Sequence, residues 1–413
     1  MRILLAHNFY QQSGGEDAVF FAEAALLEQF GHAPLRYVMH NDQIEQLSPL
    51  TVAGKTIWNR QVHREIAELV RSQRIDVVHF HNTFPLISPA AYSACHEAGA
   101  AVVQTLHNYR MLCPGALLFR EGKDCEECLS RTLKMPAIKH KCYRGSLGAT
   151  AVLTAALAFH HQRGTFENDV DLYITPSEST RSRFIQAGMN LDRVIVKPHF
   201  VEPDPGEGPG GKYAVFVGRL SHEKGIATLL AAWKQLGSRV PLKIIGDGPM
   251  QSEVVEAAKS DVAIEWLGRR PMPEVYDILG RAAVAIIPSH VRETFGRVAI
   301  EAFATGTPVI AAHIGALAEL ITDRTGATFE PSNANDLAAC VEEFLGKPAR
   351  VRAMRRDCRR EFLDHYTGAP NHRQLIDIYH RAIALAAARR GEPQTDYGIE
   401  LQHDLPLPHN QLG

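Results

Sequence analysis

Short runs rich in valine, isoleucine and leucine alternate with helix-period segments along most of this chain. That alternation restricts the fold more than any other feature. Residues 3–6, 34–39, 75–80, 101–106, 171–175 and 194–197 read as strands, with amphipathic stretches at 16–30, 59–73, 88–98 and 177–187. Strands separated by helices build βαβ units around a parallel sheet. The series stops at residues 198–211, PHFVEPDPGEGPGG, where four prolines and four glycines argue for a linker. A second series follows, with strands at 213–217, 242–245, 262–267, 283–288 and 309–312 and helices at 224–236, 249–259, 272–281 and 296–305. The expected fold is α/β: two doubly wound Rossmann-like domains, residues 1–197 and 212–370, with a cleft between them. A final helix at 371–390 is expected to pack back towards the first domain, and residues 391–413, with no period, to form a flexible tail.

Composition removes other classes. A chain of 413 residues is too long for one ordinary core, and 45% hydrophobic with 22% charged residues describes a globular protein. A net charge of −2 excludes a generally basic nucleic-acid binder, so no nucleic-acid partner is expected. The opening MRILLAHNF turns polar too soon for a signal peptide, and the longest apolar run, 148–159, is too short to span a membrane. A cytoplasmic protein with reduced cysteines is the expectation.

In such a fold, ligands bind at the strand-to-helix turns. Gly218-Arg219-Leu220 with Lys224-Gly225 offers backbone N–H groups and two cations to an anion such as a diphosphate. Gly246-Asp247-Gly248-Pro249 is a second turn of this kind, and Glu293 and Glu301 bracket a third. Singly, each is read equally well as a solvated loop, a tight turn or ordinary helix acids.

Together they carry a resemblance. GRLSHEKG, IIGDGP and ETFGRVAIEAFATGTPVIA, each following a strand, are similar to the motifs of retaining GT-B-fold glycosyltransferases of family four. Glu293 and Glu301 match that family's E-x7-E signature, SGGEDAV resembles its glycine-rich first loop, and His107 of TLHNYR its active-site histidine. The resemblance, over roughly residues 1–390, implies a retaining glycosyltransferase of bacterial type. It would move a sugar from a nucleotide diphosphate sugar to a glycan or lipid-linked acceptor in cell-surface polysaccharide synthesis.

It further implies that Arg219 and Lys224 hold the diphosphate, with Gly218, Gly246 and Asp247 beside it. Glu301 would take the ribose hydroxyls, and Glu293 the sugar hydroxyls. Phe295, Gly296, Arg297 and Val298 would supply backbone N–H groups, Gly14 and Gly15 would close from the other domain, and His107 would lie near the reactive face. Arg269 is a looser candidate for the base pocket. With no obvious nucleophile, same-face attack assisted by the leaving phosphate is favoured. The pattern departs from the family at Asp17, at Asn108 after the histidine and at HFVEPD in the linker, which bears on specificity more than on class.

Three features stand outside the motifs. Asp169-Val170-Asp171 spells D-x-D, but it leads into an apolar strand and the cations are already supplied, so no catalytic metal is expected. Residues 108–163 form an insertion containing Cys113, Cys125, Cys128 and Cys142 at zinc-like spacing, C-x11-C-x2-C-x13-C, with His140 as a substitute ligand. The readings are a structural zinc or four unlinked thiols. Finally, Arg131, Lys134, Lys139, Lys141, Arg144 and Arg163 beside 147–159 suggest a basic, partly apolar face. In the family such a face meets an anionic membrane on its inner side; internal packing is the alternative. The rival functions are a nucleotide-sugar 2-epimerase and an inactive nucleotide-binding scaffold.

Overall fold

The computed structural model describes residues 1–12 and 14–392. The first half contains β1 (Ile3–Phe9), β2 (Leu35–His40), β3 (Val77–Asn82) and β4 (Ala101–Thr105). A small antiparallel hairpin of β5 (Phe119–Arg120) and β6 (Lys123–Asp124) follows, then β7 (Leu172–Thr175) and β8 (Val194–Val196). Excluding the hairpin, these strands form one parallel sheet ordered β2-β1-β3-β4-β7-β8. The second half places β9 (Ala214–Val217), β10 (Leu242–Ile245), β11 (Ile264–Gly268), β12 (Val284–Ile287), β13 (Val309–Ala312) and β14 (Gly326–Phe329) in a parallel sheet ordered β11-β10-β9-β12-β13-β14.

Each sheet reverses its strand order beside its first strand, between β1 and β3 and between β9 and β12. Such a reversal splays the following loops apart and opens a crevice at the strands' C-terminal ends. The glycine-rich loop at Gly14-Gly15 follows β1, the Gly218–Gly225 turn follows β9, and Glu293 follows β12. Topology alone therefore delivers the motif residues to two crevices.

The central strands of both sheets are buried on both faces, which explains their near-continuous apolar runs, while the edge strand β2 is largely exposed. One face of the first sheet is covered by Val62, Ile66, Val70, Leu153 and Leu157 from two helices. Its other face is covered partly by the chain's last helix, Gly368–Arg389, through Leu375, Ile378, Tyr379, Ala382 and Ala386. The chain thus crosses from the first half to the second and back again. The outward crossing is no loose tether: Phe200 and Val201 are buried, the Gly208 N–H donates to the Thr305 carbonyl at 3.0 Å, and the Gly210 N–H to the Gly280 carbonyl at 2.8 Å. It also lies against the return crossing, where the Val201 N–H donates to the Tyr366 carbonyl at 3.0 Å.

Helix Pro49–Ile57 and strand β14 are among the elements with no counterpart in the sequence reading. Helix Pro49–Ile57 has Gly54 in its interior, yet Ser48 caps it and Pro49 starts it. Strand β14 is four residues of Gly-Ala-Thr-Phe on a sheet edge, too short and too small to register as a strand. The expected helix at 224–236 is divided, with a 3-10 turn at His222–Lys224 and an α-helix at Ile226–Leu236 on either side of Gly225. Of the tail expected at 391–413, only Gly391 and Glu392 lie within the described residues.

Tyr379 fastens the last helix by fully burying its ring and by its hydroxyl, 2.8 Å from His79 Nδ1. Tyr379→Ala should lower unfolding free energy by about 3–5 kcal/mol. Tyr379→Phe, which removes only the hydrogen bond, should cost about 1–2 kcal/mol. Denaturant unfolding of both variants checks the ordering; equal losses would mean that the ring contributes nothing.

Candidate functional site

Two glycines make the second-half turns possible. Gly246 has φ +140°, and a Cβ there would fall 1.8 Å from the Gly218 carbonyl oxygen; Gly225 has φ +74°, with a Cβ 1.7 Å from the Pro288 carbonyl oxygen. Any side chain at either point would push neighbouring turns apart. The close approaches interlock the ends of β9, β10 and β12. As a result Lys224, beside Gly225, reaches across to the loop after β12.

There its Nζ lies 2.5 Å from Glu293 Oε1, which also accepts from Ser289 Oγ at 2.6 Å. Burial alone would raise the Glu293 carboxyl, but Lys224 and the two hydrogen bonds hold it below the usual carboxylate range. Eight residues on, Glu301 is buried on helix Arg297–Ala304, with Arg297 Nη2 3.2 Å from its Oε1. Here burial outweighs Arg297, and the Glu301 carboxyl is raised. Phe295 is buried, while Gly296, as the helix N-cap, Arg297 and Val298 are partly open. The first-turn N–H groups of this helix have no intrahelical acceptor. Arg219, Asp247 and Arg269 stand exposed at the ends of β9, β10 and β11. Gly218 and Gly246 join two of those turns, but the side chains of Arg219, Asp247 and Arg269 are not drawn into the Lys224–Glu293 cluster.

The first-half residues meet this cluster through Thr294. Its carbonyl accepts from Ser177 Oγ at 2.7 Å and Thr180 Oγ1 at 3.0 Å, and its own hydroxyl donates to the His107 carbonyl at 2.8 Å. Gly14 and Gly15 are exposed, with open space where a Cβ would project, and the Gly15 carbonyl is 3.5 Å from Arg297 Nη1. Asp17 fixes that loop by accepting from the Gly14 N–H at 2.9 Å and pairing with His7 Nε2 at 2.7 Å. Asn108 donates to Glu16 at 3.3 Å, tying the residue after His107 to the same loop.

Around His107 lies a histidine network that sequence reading missed. His107 Nε2 is 3.0 Å from His81 Nδ1, and its ring stacks between those of His81 and His199, at centroid distances of 5.2 and 5.5 Å. Burial, then the neighbouring rings of His81 and His199, hold His107 well below the ordinary histidine value, so the ring is neutral at pH 7. Beneath it, His81 Nε2 is 3.4 Å and His79 Nδ1 3.6 Å from Glu23 Oε2. Among the described residues, Glu23, His79 and His81 form the one group of three ligating side chains whose atoms lie within 4.8 Å of one another. They do not make a vacant metal site. Both His79 nitrogens have partners, in Tyr379 and Thr105, and Lys197 Nζ is 2.7 Å from Glu23 Oε1. The detectable signal was alternation, His79 and His81 on either side of Phe80 in β3.

The D-x-D acids are structural: Asp171 accepts from the Val102 N–H at 2.8 Å and pairs with Arg389 at 2.7 Å, and Asp169 accepts from Ser93 Oγ. Of the supposed basic face, Lys134 is buried, and helix Leu147–Gln162 turns Leu153, Ala156 and Leu157 inward.

Comparison with known families finds a match in each half of the chain. The model described as Glycosyltransferase Family 4 matches residues 27–205, and that described as Glycosyl transferases group 1 matches residues 201–361. The chain belongs to the family-four glycosyltransferases. A curated relative, glycogen synthase of Mycobacterium tuberculosis, is 32% identical over 200 residues, 46% of this chain and 47% of the relative. The chain thus spans about half the length of such relatives. Among solved structures, HepE of Anabaena in complex with UDP covers 92% of this chain and 99% of its own, with TM-score 0.64 and 18% identity. Sucrose-phosphate synthase of Thermosynechococcus elongatus covers 93% and 100%, with TM-score 0.65 and 18% identity. The family's two-domain architecture is GT-B, and that is the fold here.

The network sets an acid limit. His79, His107 and His199 all have folded values depressed below the ordinary 6.5. The unfolded chain therefore binds protons there that the folded chain refuses, and stability complete above about pH 6.5 is lost as pH falls. Glu23, also held below its ordinary value, adds a loss further down. Melting temperature should drop between about pH 7.5 and pH 5.5, and an unchanged value would show that the buried rings are not held neutral.

Proposed function

We propose that this chain is a retaining glycosyltransferase that moves a sugar from a nucleoside diphosphate sugar to a glycan or lipid-linked acceptor. The observation that carries the reading is the Lys224–Glu293 pair, joined through Thr294 to the neutral His107 across the cleft. Lys224 and the exposed Arg219 would bind the diphosphate and stabilise the charge that develops as it leaves. A bound diphosphate draws Lys224 from Glu293 and frees that carboxylate for sugar hydroxyls. Glu301, raised by burial, suits a pair of ribose hydroxyls. Gly14 and Gly15 would close over the phosphates with the first-turn N–H groups of helix Arg297–Ala304, and Asp247 and Arg269 would border the nucleoside.

Same-face attack fits the carboxylates present. Glu23 is engaged by Lys197, Asp17 by His7 and Glu301 by Arg297, while Glu293 is assigned to hydroxyls. None of these four is left as a nucleophile, and the proton of the acceptor hydroxyl would pass to the departing phosphate oxygen. His107 engages His81 through Nε2 and would offer Nδ1 to a sugar hydroxyl.

The solved HepE complexes with UDP and UDP-glucose make a uridine diphosphate sugar the first donor to test. Leu133, Met135 and Leu147 are exposed near Arg131, Lys139, Lys141 and Arg144, which supports peripheral contact with an anionic membrane on its cytoplasmic side. No helix among the described residues is long and apolar enough to cross a membrane.

Lys224→Ala and Glu293→Gln should each lower kcat/KM for sugar transfer by about 100-fold or more. Nucleoside diphosphate release in the presence of acceptor measures this, after a thermal-shift screen has chosen the donor. Unaffected transfer in either variant would refute the site. Epimerisation of the donor without any acceptor would replace the reading by a 2-epimerase, and nucleotide binding without turnover by a scaffold.

A further inference from the structure

The insertion between β4 and helix Leu147–Gln162 is built of very little regular structure: two strands of two residues and the helix Met135–Lys139. Leu112, Leu118 and Leu129 reach the first-half core. Of the eight described non-glycine residues with positive φ, five lie here: Ala116, Leu118, Glu121, Lys141 and Arg144. Backbone in that region is costly and persists only where surrounding contacts over-determine it. The hydrogen bonds of short turns are a weak source of such constraint.

A second source converges on one point. Cys113 ends the first turn of the insertion, Cys125 and Cys128 follow the β5–β6 hairpin, and Cys142 follows the short helix. All four line a single cavity of about 160 Å³, together with Gly115 and His140. Gly115 lies between two of the cysteines: a Cβ placed on it would be in ordinary contact with Cys113 Sγ at 3.7 Å and Cys142 Cβ at 3.6 Å. None of the four is in a disulfide. Lys134, 6% exposed, sits against the cluster with its Nζ donating to the Cys128 carbonyl at 2.9 Å, and among the described residues it makes no ion pair. A buried cation without a counter-ion is costly unless negative charge is nearby.

We propose that Cys113, Cys125, Cys128 and Cys142 bind one zinc ion, which fixes the insertion in place of a larger apolar core. Each thiol releases its proton to solvent as its sulfur takes a coordination bond, and the resulting tetrathiolate centre carries a net charge of about −2. Lys134 is its internal counter-charge. The sulfurs stand wider apart than the final geometry, since no three of them are within 4.8 Å of one another. Zinc–sulfur bonds of about 2.3 Å would draw them inward and contract the cavity.

The site lies beside a contact between the two halves. Asp124, immediately before Cys125, pairs across that contact with Arg292 at 2.7 Å, next to Glu293, while Glu126 pairs within the first half with Arg183 at 2.5 Å. The ion therefore holds the segment that meets the loop after β12.

The test uses the full chain purified without chelators. Elemental analysis should give about one zinc per chain, and a mercurial thiol reagent should release it to a metallochromic dye. Cobalt substitution should give thiolate-to-metal charge-transfer bands and tetrahedral d–d bands. Cys128→Ser should reduce zinc to near zero, while Cys340→Ser, in the other half, retains it. Zinc near zero in the unmodified chain, with four reactive thiols or with disulfides, overturns the proposal. So does zinc retained in full by Cys128→Ser. The release assay on the unmodified chain decides the matter if the serine variant does not fold.

Discussion

A buried ion pair holds the first half of the molecule together. Lys197 and Glu23 are each 1% exposed, with Lys197 Nζ 2.7 Å from Glu23 Oε1 and 2.8 Å from Asn371 Oδ1. The three residues come from the end of the sheet, the helix after β1 and the last helix. A charge this deep is tolerable only when paired, and removing one partner costs about 3–5 kcal/mol because the other is stranded. The second carboxylate oxygen of Glu23 faces His79 and His81, so the pair also sets the electrostatics below His107.

The two halves prepare the cleft in different ways. In the second half, opposite charges face each other at short range, Lys224 against Glu293 and Arg297 against Glu301, in turns interlocked by Gly225 and Gly246. In the first, burial holds His107 and His199 neutral, and the His107 ring stacks between those of His81 and His199. An incoming anion finds exchangeable charge on one side and a surface that resists protonation on the other. Thr294 joins them, using its backbone and its hydroxyl at once.

How legible this was in the sequence follows from range. The parallel sheets, the turns and the E-x7-E pair could be read because each depends on residues close in the chain: Gly218 to Lys224, or Glu293 to Glu301. The histidine network could not, because Glu23 and Lys197 are 174 positions apart, as are Lys197 and Asn371. Nothing local to Lys197 marks it as buried. His199 sat inside a segment read as linker, where proline and glycine masked a residue that stacks against the site. Strand β3 was read as ending at Phe80, which left His81 and Asn82 outside it, although both lie in the strand and are buried. Spacing brought the four cysteines forward as a group, and the fold does place them round one cavity.

The chain's double crossing between halves has a mechanical consequence. One strand of polypeptide would let the halves swivel freely about several axes. Here the outward and return segments run side by side, bonded from Val201 to Tyr366, and the outward one is pinned at Gly208 and Gly210 to the second half. A two-ply strap of this kind resists twist and permits chiefly bending about its own line. Opening of the cleft is thereby confined to something close to a single coordinate.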